Sequence, residues 1–311
     1  MSSRALSRYN AILDGEARAR YLETKETMSS DHRTSLLDVK IELGRQMLHS
    51  CRLCERGCKA DRANGDKGHC GVLEPLISSD FLHMGEEPEL VPSYTVFFSG
   101  CTFNCVFCQN WDISTNPGSG ARLTARELAR KIEARGPSLS RNFTVARNVN
   151  WVGGEPTPNL PFMLEVLREC RANLPQVWNS NMYMSTDAMS LLNGVVDVYL
   201  SDFKYGNDGC AERLSNVPDY MRIITRNHRR AREHAEMIIR HLVLPGHVEC
   251  CTRPALTWIA ENLEDVKVNV MAQYRPEYRA REFPDVSKPL GMTDFRKAVG
   301  IAEDLGLDLC N

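Results

Sequence analysis

The feature that most restricts the fold of this chain is an alternation that begins near residue 94. Six short apolar runs, YTVFFSG, NVNWVGG, PQVWNSN, VVDVYLSDFK, EMIIRHLVLPG and VKVNVMAQY, are each followed by a stretch with helical character. The runs are near-continuously hydrophobic, as strands covered on both faces are. The helical stretches include TARELARKIEARG, where Thr124 followed by Glu127 makes a capping box, then NLPFMLEVLRECRAN, STDAMSLLN, PDYMRIITRNHRRAREH, PALTWIAENL and TDFRKAVGIAEDLGL. Six strand-then-helix units predict an α/β fold with a parallel sheet, left open or curled into a partial barrel. At 311 residues the chain is long enough to bury the core such a sheet needs.

In folds of this kind, ligands sit at the C-terminal ends of the strands. That rule gathers Cys101, Gly153-Gly154-Glu155-Pro156, Asn179-Ser180-Asn181, Asp202 with Lys204, Pro245-Gly246-His247 and Gln273-Tyr274-Arg275 onto one rim. A purely structural domain has no need of polar and thiol groups at every strand end.

Twelve cysteines accompany this pattern. The N-terminus, MSSRALSRYNAILDGEARARYLE, has no apolar secretory segment and no run of 18 apolar residues occurs, so the expectation is a cytoplasmic protein with no membrane partner. In that compartment thiols stay reduced, and clustered cysteines mean metal or catalysis. A hydrophobic fraction of 42% and a net charge of −2 exclude a disordered chain and give no overall basic excess for nucleic acid.

Cys101, Cys105 and Cys108 form C-x3-C-x2-C, which a random chain of this cysteine content would carry ~0.02 times. Three thiolates on a short loop suit a cubane [4Fe–4S] cluster and leave one iron open to an exogenous chelator. Zinc is the alternative, although its structural sites take four protein ligands. Cys51, Cys54, Cys58 and Cys70 offer four thiolates for a second site, and there zinc and an iron–sulfur cluster stay equally open. Cys210 and the adjacent Cys250-Cys251 lie in loops after the fourth and fifth strands, on the same rim. They are expected to form an auxiliary thiol set that holds a metal or meets the substrate, with ordinary buried cysteines as the alternative.

Residues 1–50 are expected to be helical and amphipathic, with Leu36, Leu37, Val39, Ile41, Leu43, Met47 and Leu48 at three- and four-residue steps. Residues 51–93 form a cysteine-rich metal-binding segment, and 94–311 the partial barrel. RNHRRAREH, from Arg226 to His234, is the one basic cluster; it reads as a solvated helix face rather than a nucleic-acid site.

The cysteine loop, with Phe107 before its last thiol, resembles the cluster loop of the radical S-adenosylmethionine (SAM) superfamily. Together with GGEP at 153–156, WNSN at 178–181, DFKY at 202–205 and RHLVLPG at 240–246, it resembles the pyruvate formate-lyase activating enzyme group, in particular relatives with an N-terminal C-x2-C-x3-C segment. The resemblance covers roughly residues 50–310. It implies a partial (β/α)6 radical SAM barrel with an N-terminal helical and cysteine-rich extension. Cys101, Cys105 and Cys108 would hold the [4Fe–4S] cluster, and the amino and carboxylate groups of SAM would chelate the open iron. Gly153, Gly154 and Glu155 would approach the SAM amine, Asn179 and Ser180 the ribose, and Phe107 the adenine. Asp202 and Lys204 would line the cleft, and Arg240 would pair with the SAM carboxylate. The implied activity is reductive SAM cleavage to a 5′-deoxyadenosyl radical followed by hydrogen-atom abstraction, with reduced flavodoxin or ferredoxin as electron donor. A glycyl radical partner enzyme is the substrate the resemblance implies. Modification of a peptide, small molecule or RNA is the alternative within the class, and a non-catalytic iron–sulfur or zinc protein the alternative outside it.

Overall fold

The computed structural model describes residues 5–30, 32–136 and 145–310. Residues 1–4 and 31 of the expected helical segment, and 137–144 and 311 of the expected barrel, lie outside the described residues.

All six predicted strands form, and the sheet begins before them. β1 (Leu76–His83) pairs antiparallel with β2 (Ser93–Phe98), and the two-residue β3 (Ala121–Arg122) pairs antiparallel with β1. From β2 the sheet runs in parallel through β4 (Asn148–Gly153), β5 (Gln176–Ser180), β6 (Val198–Asp202), β7 (Glu236–Leu242) and β8 (Lys267–Met271), and it ends at the two-residue β9 (Asp308–Leu309). β3 and β9 are the two edges and do not pair with each other, so the curled sheet stays open. β1 falls inside the cysteine-rich segment, which therefore shares one sheet with the barrel.

Helices α1 (Ser7–Leu13), α2 (Arg20–Glu26) and α3 (Leu36–Gln46) precede the sheet, and the short α4 (Trp111–Ser114) follows β2. α5 (Ala125–Glu133), α6 (Leu160–Glu169), α7 (Thr186–Leu192), α8 (Asp208–Ser215), α9 (Tyr220–His234), α10 (Arg253–Asn262) and α11 (Met292–Asp304) are the crossover helices. The Thr124–Glu127 capping box is present, and a second one, Ser35–Asp38, starts α3. α3 buries Leu37 and Ile41 against α6 while Leu36, Val39 and Leu43 stay exposed, so one stripe of the predicted pattern is used. α9 buries Ile223, Ile224, Asn227, His228 and Ala231; its arginines are held within the chain, Arg226 by Glu55, Arg229 by Asn262 and Arg232 by Asp265 and the Glu264 carbonyl. Among the described residues, no helix is long and apolar enough to cross a membrane.

Side chains two apart on a strand share a face, which sets the layers inside the barrel. At the N-terminal end, Val177, Val198, Leu200 and Ile238 meet Leu6, Tyr9 and Leu90, which close that end. α1 is fixed there because the backbone amides of Arg8 and Tyr9 both donate to the Glu236 carboxylate at 2.7 Å. Above this apolar floor the β1–β2 connection inserts Glu86 and Glu87 against Arg240. Higher still lie the strand ends and their loops.

Candidate functional site

The rim is built by glycines that let strand ends touch. The amides of Gly154 and Glu155 each donate 3.0 Å hydrogen bonds, to the Phe98 and Gly100 carbonyls respectively. Gly153 has φ +134°, and a Cβ placed there would lie 2.0 Å from the Phe98 carbonyl oxygen; one on Gly154 would lie 2.3 Å from that of Gly100. The glycine pair therefore welds the GGEP turn to the start of the cysteine loop. Gly153→Ala is expected to lower the unfolding free energy by about 2–5 kcal/mol, combining backbone strain with overpacking. Gly118→Ala, where a Cβ meets nothing within 4 Å, should change it by less than ~0.5 kcal/mol, both variants being compared with wild type by urea titration.

The loop itself is anchored without its sulfurs. Asn104 and Val106 donate backbone bonds of 3.1 and 2.9 Å to the Ser215 and Leu214 carbonyls at the end of α8. The thiols have light partners only: the Phe103 amide at 3.4 Å from Cys101 Sγ, the Ser215 hydroxyl at 2.9 Å from Cys105 Sγ, and the Ser114 hydroxyl at 3.3 Å from Cys108 Sγ. Burial, then the charges of Glu155, Cys105 and Cys108, push the Cys101 thiol well above its ordinary value. Burial likewise raises Cys105, to about 11, against the pull of the Lys204 ammonium. Two thiols so raised, with a third on the same loop, become thiolates together only when a cation joins them, so this donor set fits an iron–sulfur cluster.

Lys204 pairs with Asp202 at 2.7 Å. Burial alone would lower its pKa, but Asp202 and the thiols of Cys105 and Cys108 hold it above the ordinary lysine value. Glu155 is 1% exposed and accepts from the Thr157 hydroxyl at 2.5 Å, the Ser180 hydroxyl at 2.7 Å and the Asn181 amide at 2.9 Å. Its first task is thus to tie the end of β4 to the end of β5. Ser180, in turn, also accepts from the Met182 amide at 3.0 Å. Phe107 is buried between Tyr205 and Tyr274, with ring centroids 6.5 and 5.7 Å away. Asn179 lies at the end of β5, facing Arg240 at 3.5 Å.

Arg240, expected to pair with the SAM carboxylate, is instead matched by two carboxylates of the chain. Its guanidinium bonds Glu87 twice at 2.7 Å and also binds Glu86, one layer below the rim. With its donors turned to the two carboxylates and to Asn179, it has no free edge of the kind that bidentate recognition needs. The residue contributions not foreseen from sequence are Asn181, whose Nδ2 donates to the Thr102 hydroxyl at 3.0 Å beside Cys101, and Arg56, whose Nε donates to the Thr102 carbonyl at 2.9 Å. Asn181 stood on the predicted rim but carried no role; nothing local marks Arg56.

Cys51, Cys54, Cys58 and Cys70 line one small cavity of about 10 Å³ with Arg62 and His69. Burial, then the neighbouring thiols, push Cys54 up to about 12. Gly68 leaves the room: a Cβ there would lie 2.5 Å from Cys58 Sγ. The segment is docked on the rim by backbone bonds from Glu55 to Tyr183 at 3.2 Å and from Ser185 to Leu53 at 3.1 Å. Arg56 carries its charge between the two sets, within reach of Cys54, Cys101 and Cys105. The structure also brings Cys210, Cys250 and Cys251 together, and it adds His247 to them.

A partial parallel barrel whose open rim carries three half-buried thiols on one loop defines a class of iron–sulfur enzyme fold. The Radical SAM superfamily matches residues 95–259, more than half of the chain, and the chain belongs to that superfamily. It is 47% identical over 281 residues to the Uncharacterized protein MJ0674 of Methanocaldococcus jannaschii, covering 88% of this chain and 80% of that one. Methylornithine synthase (PylB) shares the fold, with a TM-score of 0.50 at 13% identity over 97% of this chain and 78% of that one. A domain of pyruvate-formate lyase-activating enzyme from Bacteroides vulgatus superposes with a TM-score of 0.43 at 17% identity, over 52% of this chain and 96% of that one. Membership implies a [4Fe–4S] cluster and SAM as cofactors.

Proposed function

We propose that the protein is a radical SAM enzyme whose cluster ligands are Cys101, Cys105 and Cys108. Bound together, the cluster and SAM supply a 5′-deoxyadenosyl radical that abstracts a hydrogen atom from the substrate. The observation that supports this most is three half-buried thiols on a loop held from α8 and from the GGEP turn by backbone bonds, so that the sulfurs are free to ligate. Gly153, Gly154 and Glu155 border the cofactor site on one side, with Asn179 and Ser180 beside them. Asp202 and Lys204 border it on the other, where the ammonium beside Cys105 and Cys108 offers positive charge to thiolates or to a carboxylate. Phe107, with Tyr205 and Tyr274, provides the apolar wall that keeps water out. Arg240 acts through Glu86, Glu87 and Asn179, as a strut beneath the site. Cys51, Cys54, Cys58 and Cys70 hold a second metal, zinc or an iron–sulfur cluster.

The resemblance to the activating enzyme group makes a backbone glycine of a partner protein the first substrate to assay in a cytoplasmic setting, with reduced flavodoxin or ferredoxin as donor. The test of the class needs no substrate. Anaerobically reconstituted protein, given SAM and dithionite, is expected to form 5′-deoxyadenosine and methionine in equal amounts. Full iron loading with neither product, with or without a candidate substrate, would remove the reading.

A further inference from the structure

Cys210 sits in the first turn of α8, after β6, while His247, Cys250 and Cys251 follow β7, at and within a single π-helical turn, Val248–Thr252. Their ligand atoms all lie within 4.8 Å of one another. His247 Nδ1 is 3.6 Å from Cys210 Sγ, 3.3 Å from Cys250 Sγ and 3.8 Å from Cys251 Sγ, and the last two sulfurs are 3.9 Å apart. A tetrahedral zinc with Zn–S bonds near 2.3 Å has S···S edges of about 3.8 Å. A cubane cluster puts an iron beneath each thiolate and so needs them further apart. These edges are those of a single ion.

The loops are shaped to make this contact. A Cβ on Gly206 would lie 2.6 Å from the Cys251 carbonyl oxygen and 2.9 Å from that of Cys250, so only glycine lets the two loops meet there. The π-turn aims two consecutive cysteines at one histidine, as such one-turn insertions often do at functional sites. Asn207 spans the site: it caps α8 by accepting from the Cys210 amide at 2.8 Å, and its Nδ2 donates to the Cys250 carbonyl at 2.8 Å and points at Cys210 Sγ from 3.4 Å.

The histidine is prepared independently of the thiols. Its Nε2 lies 2.9 Å from the Asp285 carboxylate, which is itself forked by Arg213. A carboxylate cannot donate, so Nε2 carries the proton and Nδ1 turns its lone pair toward the three sulfurs. Carboxylate, histidine and metal in line is the usual outer support of a ligating imidazole.

We propose that Cys210, Cys250, Cys251 and His247 Nδ1 bind one zinc ion. Four protein ligands fill the tetrahedron and leave no position for substrate, so the ion is structural. It ties the loop carrying Cys210 to the loop after β7, and through α8 it steadies Leu214 and Ser215, which hold the Cys101–Cys108 loop. The site stands on its own geometry and not on the SAM reading.

The test is zinc and iron content per chain in the full-length protein purified anaerobically. Wild type is expected to hold one more zinc than the Cys210→Ser/Cys250→Ser double variant, with iron unchanged. Equal zinc in the two, or loss of iron in place of zinc, overturns the proposal. Should the double variant not fold, Asp285→Asn leaves every ligand in place, and chelator competition should then strip the zinc at ~10–100-fold lower chelator concentration. An unshifted competition curve overturns the proposal equally. Iron loading and 5′-deoxyadenosine formation report separately on the SAM reading.

Discussion

Cys105→Ala abolishes 5′-deoxyadenosine formation from SAM in reduced, reconstituted protein while leaving the fold intact. The loop around Cys105 is fastened by the Asn104 and Val106 amides to α8 rather than by its sulfur, so removing the thiol does not release the backbone. What is lost is one of the three proposed cluster ligands. Removal of an outer partner of a metal ligand costs ~10–100-fold in affinity or activity, and that is the range expected for Ser215→Ala, which deletes the hydroxyl 2.9 Å from Cys105 Sγ. Loss of the ligand itself should exceed it, taking product to the detection limit. Because the three thiols act as a unit, Cys101→Ala and Cys108→Ala should fall as far, and the triple variant no further. The measurement is product per chain by chromatography, with circular dichroism as the control for fold. Wild-type yield from Cys105→Ala would assign the chemistry to another centre.

The central strands were legible because burial on both faces leaves a continuous apolar run, and each of the six runs became a strand. β1 was not, because LISSDFLH lies near the edge of the sheet, covered on its outer side only by two residues of β3; it therefore mixes buried Ile77 with exposed Phe81 and carries no clean period. The C-x3-C-x2-C loop was legible from spacing alone, since three thiols on one loop must be close in sequence. The Cys210–His247 site was half legible. Its cysteines stood out by position after strands, but a lone histidine in PGH reads as a turn residue, and what makes it a ligand is Asp285, 38 residues on. The partners of Arg240 were hidden for the same reason in reverse. Its place at a strand end was right, but its partners come from MGEEPE, a stretch that reads as a solvated turn and in fact reaches into the barrel with Glu87 only 2% exposed. Local pattern reports which face a residue takes; it does not report which distant loop will arrive to meet it.

That buried triad carries the other large effect. Arg240 stands between Glu86 and Glu87, and Asn269 and Asn150 each donate a further bond of 2.9 Å to the carboxylates. Removing one member of a buried ion cluster strands the others, at about 3–5 kcal/mol, and Arg240→Met keeps most of the volume while doing so. The sign of its pH dependence separates charge from packing. In wild type, burial alone would raise the Glu87 pKa, but Arg240 overrides it and holds the carboxyl below its ordinary value. A depressed folded pKa stabilises above the unfolded value, about 4.3 for glutamate, and that stability is lost as pH falls through the folded value. In Arg240→Met the guanidinium is gone and only the hydrogen bonds from Asn269 and the backbone oppose burial, so the Glu87 pKa rises above the unfolded value. Its contribution is then present in acid and lost as pH climbs toward neutrality. The gap in urea-unfolding free energy between the two proteins should therefore be largest at pH 7.5 and narrow by at least about 1 kcal/mol at pH 5, one pKa unit being worth 1.36 kcal/mol. A gap of the same size at both pH values would mean that Arg240 supports the site through its bulk and not through its charge.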